Sequence, residues 1–179
     1  MNNPQLRVLI SDVEIQKRVV EIGAQITRDY KEGDLVLVGI LKGAFIFVAD
    51  LARAIHRPVR MDFIGISSYG KGKTTSGEVK VTKDLDASIE GANIIIVEDI
   101  VDTGVTLSYL IGLLHNRKPR SIRIAALLDK PERRLRPVQV GYTGFTIEDE
   151  FVVGYGLDYA EHYRNLSYIG VLKPSVYGC

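Results

Sequence analysis

The run Ile94-Ile95-Ile96-Val97-Glu98-Asp99-Ile100-Val101-Asp102-Thr103-Gly104-Val105-Thr106 constrains the fold more than any other segment of the chain. Its first four residues are apolar and β-branched, the pattern of a strand buried on both faces. That strand runs into Glu98 and Asp99, then Asp102, then Thr-Gly-x-Thr. Beyond it, Leu107, Leu110, Ile111 and Leu114 recur at helical spacing. The acids and hydroxyls are therefore expected in a strand-to-helix turn, and turns at the carboxyl ends of parallel strands are where α/β folds bind ligands.

The residue types in that turn narrow the ligand. Thr103, Gly104 and Thr106 suit an anion, because small residues admit backbone N–H groups, hydroxyls add donors, and a helix N-terminus is electropositive. Glu98, Asp99 and Asp102 would repel a bare phosphate. A ligand welcome to both sets carries a phosphate beside hydrogen-bond donors or a metal ion. A ribose 5-phosphate fits, since its 2- and 3-hydroxyls donate to carboxylates while its phosphate caps the helix. The plainer reading, in which Glu98 and Asp99 end a strand and Asp102 is a helix cap, leaves the crowding of three acids unexplained.

The remaining pattern places this turn in an α/β fold. Ser11 to Glu14 is a capping box opening a helix with Ile15, Val19, Ile22 and Ile26 on one face. Leu35 to Ile40 reads as a buried strand followed by the turn Lys42-Gly43. A second helix carries Phe47, Val48, Leu51 and Ile55 and stops before Pro58, and Val59 to Ser67 reads as a strand. Residues 68 to 78, rich in glycine and small hydroxyls, read as a mobile loop or hairpin tip. Strands are expected at Val79 to Thr82, Ile94 to Val97, Ile122 to Leu128, Val138 to Tyr142 and Ser167 to Leu172, with a helix over 104–116. Alternation of strand and helix predicts a central parallel sheet flanked by helices, joined by right-handed crossovers.

A length of 179 residues suits one domain, 1–179. The single cysteine excludes an intrachain disulfide framework and fits a reducing cytoplasm. No Cys or His residues stand at zinc spacing, no run approaches membrane-spanning length, and no hydrophobic secretory segment is seen. A net charge of +1 gives no overall reason to expect nucleic acid as a partner. One stretch departs from that balance: residues 117–136 hold eight Lys or Arg against Asp129 and Glu132. It reads as a solvated face beside an anion site, because no aromatic platform for RNA bases is interleaved with it. No Gly-x-x-x-x-Gly-Lys-Ser/Thr occurs, which argues against a P-loop enzyme.

The segment 98–106 resembles the phosphoribosyl-diphosphate signature of type I phosphoribosyltransferases, in the Glu-Asp-Ile-Val-Asp-Thr-Gly version of the hypoxanthine-guanine members. Leu41-Lys42-Gly43, Ser68-Tyr69-Gly70, Lys130 and Phe151-Val152-Val153-Gly154-Tyr155-Gly156-Leu157-Asp158 follow in the family's order, so the likeness spans about residues 35–172. It implies that Glu98 and Asp99 position the ribose hydroxyls, and that Thr103, Gly104, Val105 and Thr106 cradle the 5-phosphate. Asp102 would reach purine N7 as general base or acceptor. Leu41, Lys42, Gly43 and Arg164 would hold pyrophosphate, under a lid containing Ser68 and Tyr69; the resemblance also allows a cis peptide at Leu41–Lys42, which the sequence leaves open. Lys130 would donate to the 6-oxo group, and Phe151 and Val152 would contact the base. Magnesium is the implied cofactor, supported by Glu98, Asp99 and Asp158.

The resemblance further implies a core over about 35–140, a hood from about 1–30 and 140–179, and a homodimer or homotetramer. Val105 departs from the lysine that some members carry in the phosphate turn. A second reading, a phosphoribosyl-diphosphate-sensing RNA-binding regulator on the same fold, draws on the basic stretch, but a pure sensor has no need of an acid at Asp102. The ranking of hypoxanthine, guanine and xanthine stays open.

Overall fold

The computed structural model describes residues 5–68 and 79–177. Strands are β1 (Leu6–Ile10), β2 (Leu35–Leu41), β3 (Arg60–Ser68), β4 (Val79–Lys83), β5 (Asn93–Val101), β6 (Ser121–Asp129), β7 (Tyr142–Thr146), β8 (Val152–Val153) and β9 (Ile169–Leu172). Helices are α1 (Asp12–Asp29), α2 (Phe45–Ala54), α3 (Val105–His115) and the short α4 (Pro174–Tyr177), with a 3-10 turn at Pro131–Arg133.

Six strands form the main sheet in the order β4-β3-β2-β5-β6-β7. All neighbours pair parallel except β3 and β4, which are antiparallel. The continuous apolar runs in β2 and β5 are explained by the two faces. Leu35, Leu37, Ile95 and Val97 face a core shared with α1 and α2, while Val36, Val38, Ile94 and Ile96 face Leu107, Leu110 and Leu114 of α3. Helix α1 begins with the expected capping box: Ser11 accepts from the Glu14 amide, and the Glu14 carboxylate accepts from the Ser11 amide at 2.9 Å.

A smaller sheet, β1-β9-β8, is antiparallel throughout. It joins the N-terminal segment to the C-terminal third, and Ile10, Val152 and Ile169 share one core with α1 and α2. Strand β1 was not foreseen, because its exposure pattern does not alternate cleanly and its pairing partner lies some 160 residues away, as in Leu6 with Leu172.

Two other expectations need correction. The strand expected over Val138 to Tyr142 starts only at Tyr142. Val138 and Val140 pack on the α3-side core without ladder hydrogen bonds, so their alternation marked one-sided burial and not pairing. Strand β5 runs past Val97 to Val101, because β6 continues alongside and pairs Glu98 with Ala126 and Ile100 with Leu128. Glu98 and Asp99 are therefore strand residues, and the turn begins at Asp102. The loop expectation over 68–78 falls, from Tyr69 onward, outside the described residues; its flanks Ser68 and Val79 are ladder partners. Among the described residues no helix is long and apolar enough to cross a membrane.

Candidate active site

Strands β2, β5 and β6 are adjacent and parallel, so the turns at their carboxyl ends open on one edge of the sheet. The turn after β2 contains a cis peptide between Leu41 and Lys42. Gly43 follows, and a Cβ built there would lie 1.7 Å from Asp99 Oδ2. From the other side, Gly156 (φ 104°) presses on the Gly43 carbonyl, so that a Cβ at Gly156 would lie 2.0 Å from that oxygen. The turn is thus clamped between β5 and the Gly154-Tyr155-Gly156 segment. Tyr155 fastens that segment to α2 by donating its hydroxyl to Asp50 Oδ2 at 2.5 Å.

That clamp gives a stability prediction. Gly43→Ala is expected to destabilise the fold by about 2 kcal/mol or more, within the usual range for overpacking, a fall of roughly 4–8 °C in Tm for a chain of this size. Gly112→Ala, where a Cβ meets nothing within 4 Å on α3, is the control and should hold or raise Tm. Thermal unfolding of the two variants checks the expectation.

Glu98 and Asp99 keep some surface, but their carboxyl groups lie deep enough for desolvation to dominate. Burial, and then the neighbouring Asp99, push the Glu98 carboxyl well above the usual carboxylate range. Burial likewise raises Asp99, to about 6, although its Oδ1 accepts from the Ile100 amide at 2.8 Å. The field of Arg164 lowers Asp99 and that of Asp158 raises it. Arg164 and Asp158 themselves pair at 2.7 Å. A β5 residue and two residues of the C-terminal third are thereby gathered at one point. Among the described residues, Glu98 Oε2, Asp102 Oδ1 and Arg164 Nε are buried without a hydrogen-bond partner. Buried polar atoms in a native chain normally have partners, and here the missing ones are donors to carboxylates and an acceptor for a guanidinium.

Two cavities meet at Asp102. The smaller, about 100 Å3, is lined by Glu98, Asp102, Thr103, Gly104 and Thr106 together with Ile100, Val101 and Leu107. It lies against the N-terminus of α3, where Gly104 is the cap with φ 78°. The larger, about 500 Å3, is lined by Ile100, Asp102, Lys130, Arg133, Asp149, Glu150, Phe151, Val152, Leu157 and Asp158. Lys130 is 8% exposed and reaches it from the end of β6, donating to the Glu150 carbonyl at 2.7 Å and pairing with Asp149 at 3.2 Å. Phe151 stands at the rim, edge-on to Tyr159 with ring centroids 5.8 Å apart. Asp102 Oδ1 lies 2.7 Å from Arg133 Nε, too far out of line for a hydrogen bond.

The structure brings most of the expected residues to this edge. Asp102 touches both cavities; Glu98, Thr103, Gly104 and Thr106 line the smaller; Lys130, Phe151, Val152 and Asp158 line the larger. Val105 lines neither, and as the first helical residue it offers its backbone amide, 3.4 Å from Thr103 Oγ1. Lys42 is exposed and paired with Glu161 at 2.9 Å, and Glu161 also pairs with Arg164. Tyr69 lies outside the described residues.

Sequence reasoning missed the segment that buttresses the turn before α3. The Thr103 carbonyl accepts from the amides of Leu135 and Arg136 at 2.9 and 3.0 Å. Arg134 donates to the Asp102 carbonyl at 2.6 Å and pairs with Asp129. The Arg136 carbonyl sits so close to Gly104 that a Cβ there would lie 2.6 Å away. The only trace in the sequence was the basic run itself. Much of that run is committed to ion pairs: Arg117 with Asp84, Arg123 with Asp29, Lys130 and Arg133 with Asp149, and Arg134 with Asp129. The RNA-binding alternative loses its main support.

The carboxyl edge of the mostly parallel sheet thus joins the small cavity at the α3 N-terminus to a second, larger one through one shared carboxylate, Asp102. The chain matches the phosphoribosyl transferase domain family over residues 11–160 and belongs to it. It is 55% identical to a hypoxanthine-guanine phosphoribosyltransferase of Bacillus subtilis over 171 residues, covering 96% of this chain and 95% of that protein. A hypoxanthine phosphoribosyltransferase of Haemophilus influenzae is 51% identical over 173 residues, 95% of this chain and 97% of that one. The crystal structure of a hypoxanthine phosphoribosyltransferase from Staphylococcus aureus superposes with a TM-score of 0.96 at 49% identity, covering 100% of both chains. Within the family, the chain falls among the hypoxanthine-guanine phosphoribosyltransferases.

Proposed function

We propose that the chain is a purine salvage enzyme that transfers the phosphoribosyl group of phosphoribosyl diphosphate to N9 of hypoxanthine or guanine, giving the nucleoside monophosphate and pyrophosphate. The observation that carries this reading is the pair of cavities sharing Asp102. The smaller takes the 5-phosphate, on the backbone of Thr103, Gly104 and Val105 and the hydroxyls of Thr103 and Thr106, helped by the α3 N-terminus. The ribose hydroxyls give Glu98 the donor that its buried Oε2 lacks, and add donors to Asp99 beside the Ile100 amide.

The larger cavity takes the base. Lys130 donates to the 6-oxo group, Phe151 stacks, and the backbone at Val152 and Asp158 meets the edge that carries a 2-amino group in guanine. Asp102 accepts from N7 and raises electron density at N9 as it attacks the sugar. The turn at Leu41, Lys42 and Gly43, together with Arg164, receives the leaving pyrophosphate. Ser68 and Tyr69 are assigned to closing over it by family likeness alone.

Magnesium fits the donor set. Glu98 has a buried carboxylate oxygen with no donor, Asp99 is raised by burial, and Asp158 stands beside both Asp99 and Arg164. Magnesium is commonly held by one or two carboxylates together with water and substrate oxygens. When bound, it supplies positive charge against the pyrophosphate. A cytoplasmic homodimer or homotetramer accords with the family and with a chain carrying one cysteine.

Steady-state assays with hypoxanthine, guanine and xanthine test the reading. Nucleotide should form from at least one of the first two, only in the presence of phosphoribosyl diphosphate and a divalent metal. No turnover of any 6-oxopurine would refute it.

A further inference from the structure

Arg133 carries no role in the mechanism above, yet it stands inside the base cavity. Its guanidinium bridges two acids, with Nε 2.7 Å from Asp102 Oδ1 and Nη1 2.8 Å from Asp149 Oδ2. Asp149 in turn pairs with Lys130 at 3.2 Å. The bridge therefore links the carboxylate assigned to purine N7 with the amine assigned to the 6-oxo group.

We propose that Arg133 is a positioning residue that guards Asp102. It neutralises the carboxylate in the ligand-free enzyme and is displaced onto Asp149 alone when the purine enters. This rests on the reading of Asp102 as the N7 acceptor. Four observations support the exchange. Asp102 Oδ1 is buried and takes no hydrogen bond despite the nearby guanidinium, so its acceptor capacity is kept for another donor. Arg133 has its second acid already in place, so release from Asp102 does not leave it unpaired. The backbone around it is fixed, with the Arg133 amide on the Lys130 carbonyl and Arg134 on the Asp102 carbonyl, so only the side chain has to move. The side chains of Arg133, Asp102 and Asp149 are 44%, 39% and 50% exposed, and pairs so open to water are weak enough to exchange at little cost.

The test is the split between KM and kcat for hypoxanthine at saturating phosphoribosyl diphosphate. Arg133→Gln should lower the KM by about three- to fivefold, the range of a partly exposed ion pair, with kcat changing less than about twofold. Asp149→Asn leaves Arg133 only Asp102 to hold and should raise the KM by a similar factor. Introduced on top of Arg133→Gln, Asp149→Asn should lose most of that effect, leaving only what passes through Lys130. Arg133→Lys should return the KM toward the parent value. A purely structural role would not produce opposite signs on the two sides of the bridge. An unchanged or raised KM in Arg133→Gln, with Tm intact, would overturn the proposal while the enzyme reading stood. A parent chain inactive on every 6-oxopurine would overturn that reading and the proposal with it.

Discussion

Asp102→Asn should turn over hypoxanthine at least about a hundredfold more slowly than the parent chain, the usual loss when a general base is removed. The amide preserves size, and the contacts that shape the turn are made by backbone atoms. Arg134 donates to the Asp102 carbonyl, and Leu135 and Arg136 donate to the Thr103 carbonyl. Phosphate binding at the α3 N-terminus should therefore survive, with the affinity for phosphoribosyl diphosphate changed by less than about threefold. What disappears is the buried oxygen that can take a proton, and with it the ion pair to Arg133. Single-turnover rates and direct binding of phosphoribosyl diphosphate separate the two effects. Near-normal turnover would reduce Asp102 to a cap on the turn.

The prominence of this turn in the sequence has a physical reason. A strand buried on both faces must be apolar at every position, so Ile94 to Val97 stands out, and three acids directly after it stand out against that run. Likewise the capping box at Ser11 and Glu14 is local chemistry, complete within four residues. Features that depend on distant partners were not legible. Strand β1 exists because Ile169–Leu172 pairs with it, and β7 starts at Tyr142, where its ladder with β6 begins opposite Ala125.

The same division runs through the site. Glu98 at the end of β5 and Asp102, Thr103 and Gly104 in the turn after it lie on one contiguous segment and could be read together. The clamp on Gly43 could not, since it needs Asp99 from β5 and Gly156 from the C-terminal third to converge. Arg133 and Arg134 looked like two more cations in a solvated run, and nothing local marked them as partners of Asp102. Only the closure of β6 against β5 brings the 3-10 turn after Lys130 over the acid-bearing turn.

Asp99→Asn should make the ligand-free protein more stable and the enzyme worse. The Asp99 carboxyl is raised by burial from 3.8 to about 6, so between those values the folded state binds more protons than the unfolded chain. Stability then falls as pH rises through that window, and the whole penalty is present above about pH 6. Two pKa steps correspond to roughly 3 kcal/mol; the remaining surface of Asp99 reduces this to about 2 kcal/mol. An asparagine cannot ionise and can still accept from the Ile100 amide. Its Tm at pH 7.5 should exceed that of the parent by about 4–8 °C, and the difference should close by about pH 4. Glu98→Gln should act in the same direction, because burial raises that carboxyl too. Both variants should weaken binding of phosphoribosyl diphosphate with magnesium by about tenfold or more, since they remove charge that the sugar hydroxyls and the cation meet in the ground state. Thermal unfolding at the two pH values, with and without magnesium phosphoribosyl diphosphate, reads both effects at once. A variant less stable than the parent at pH 7.5 would mean that these carboxylates are already satisfied in the empty enzyme, and that the site is not held open, at a cost in stability, for its ligand.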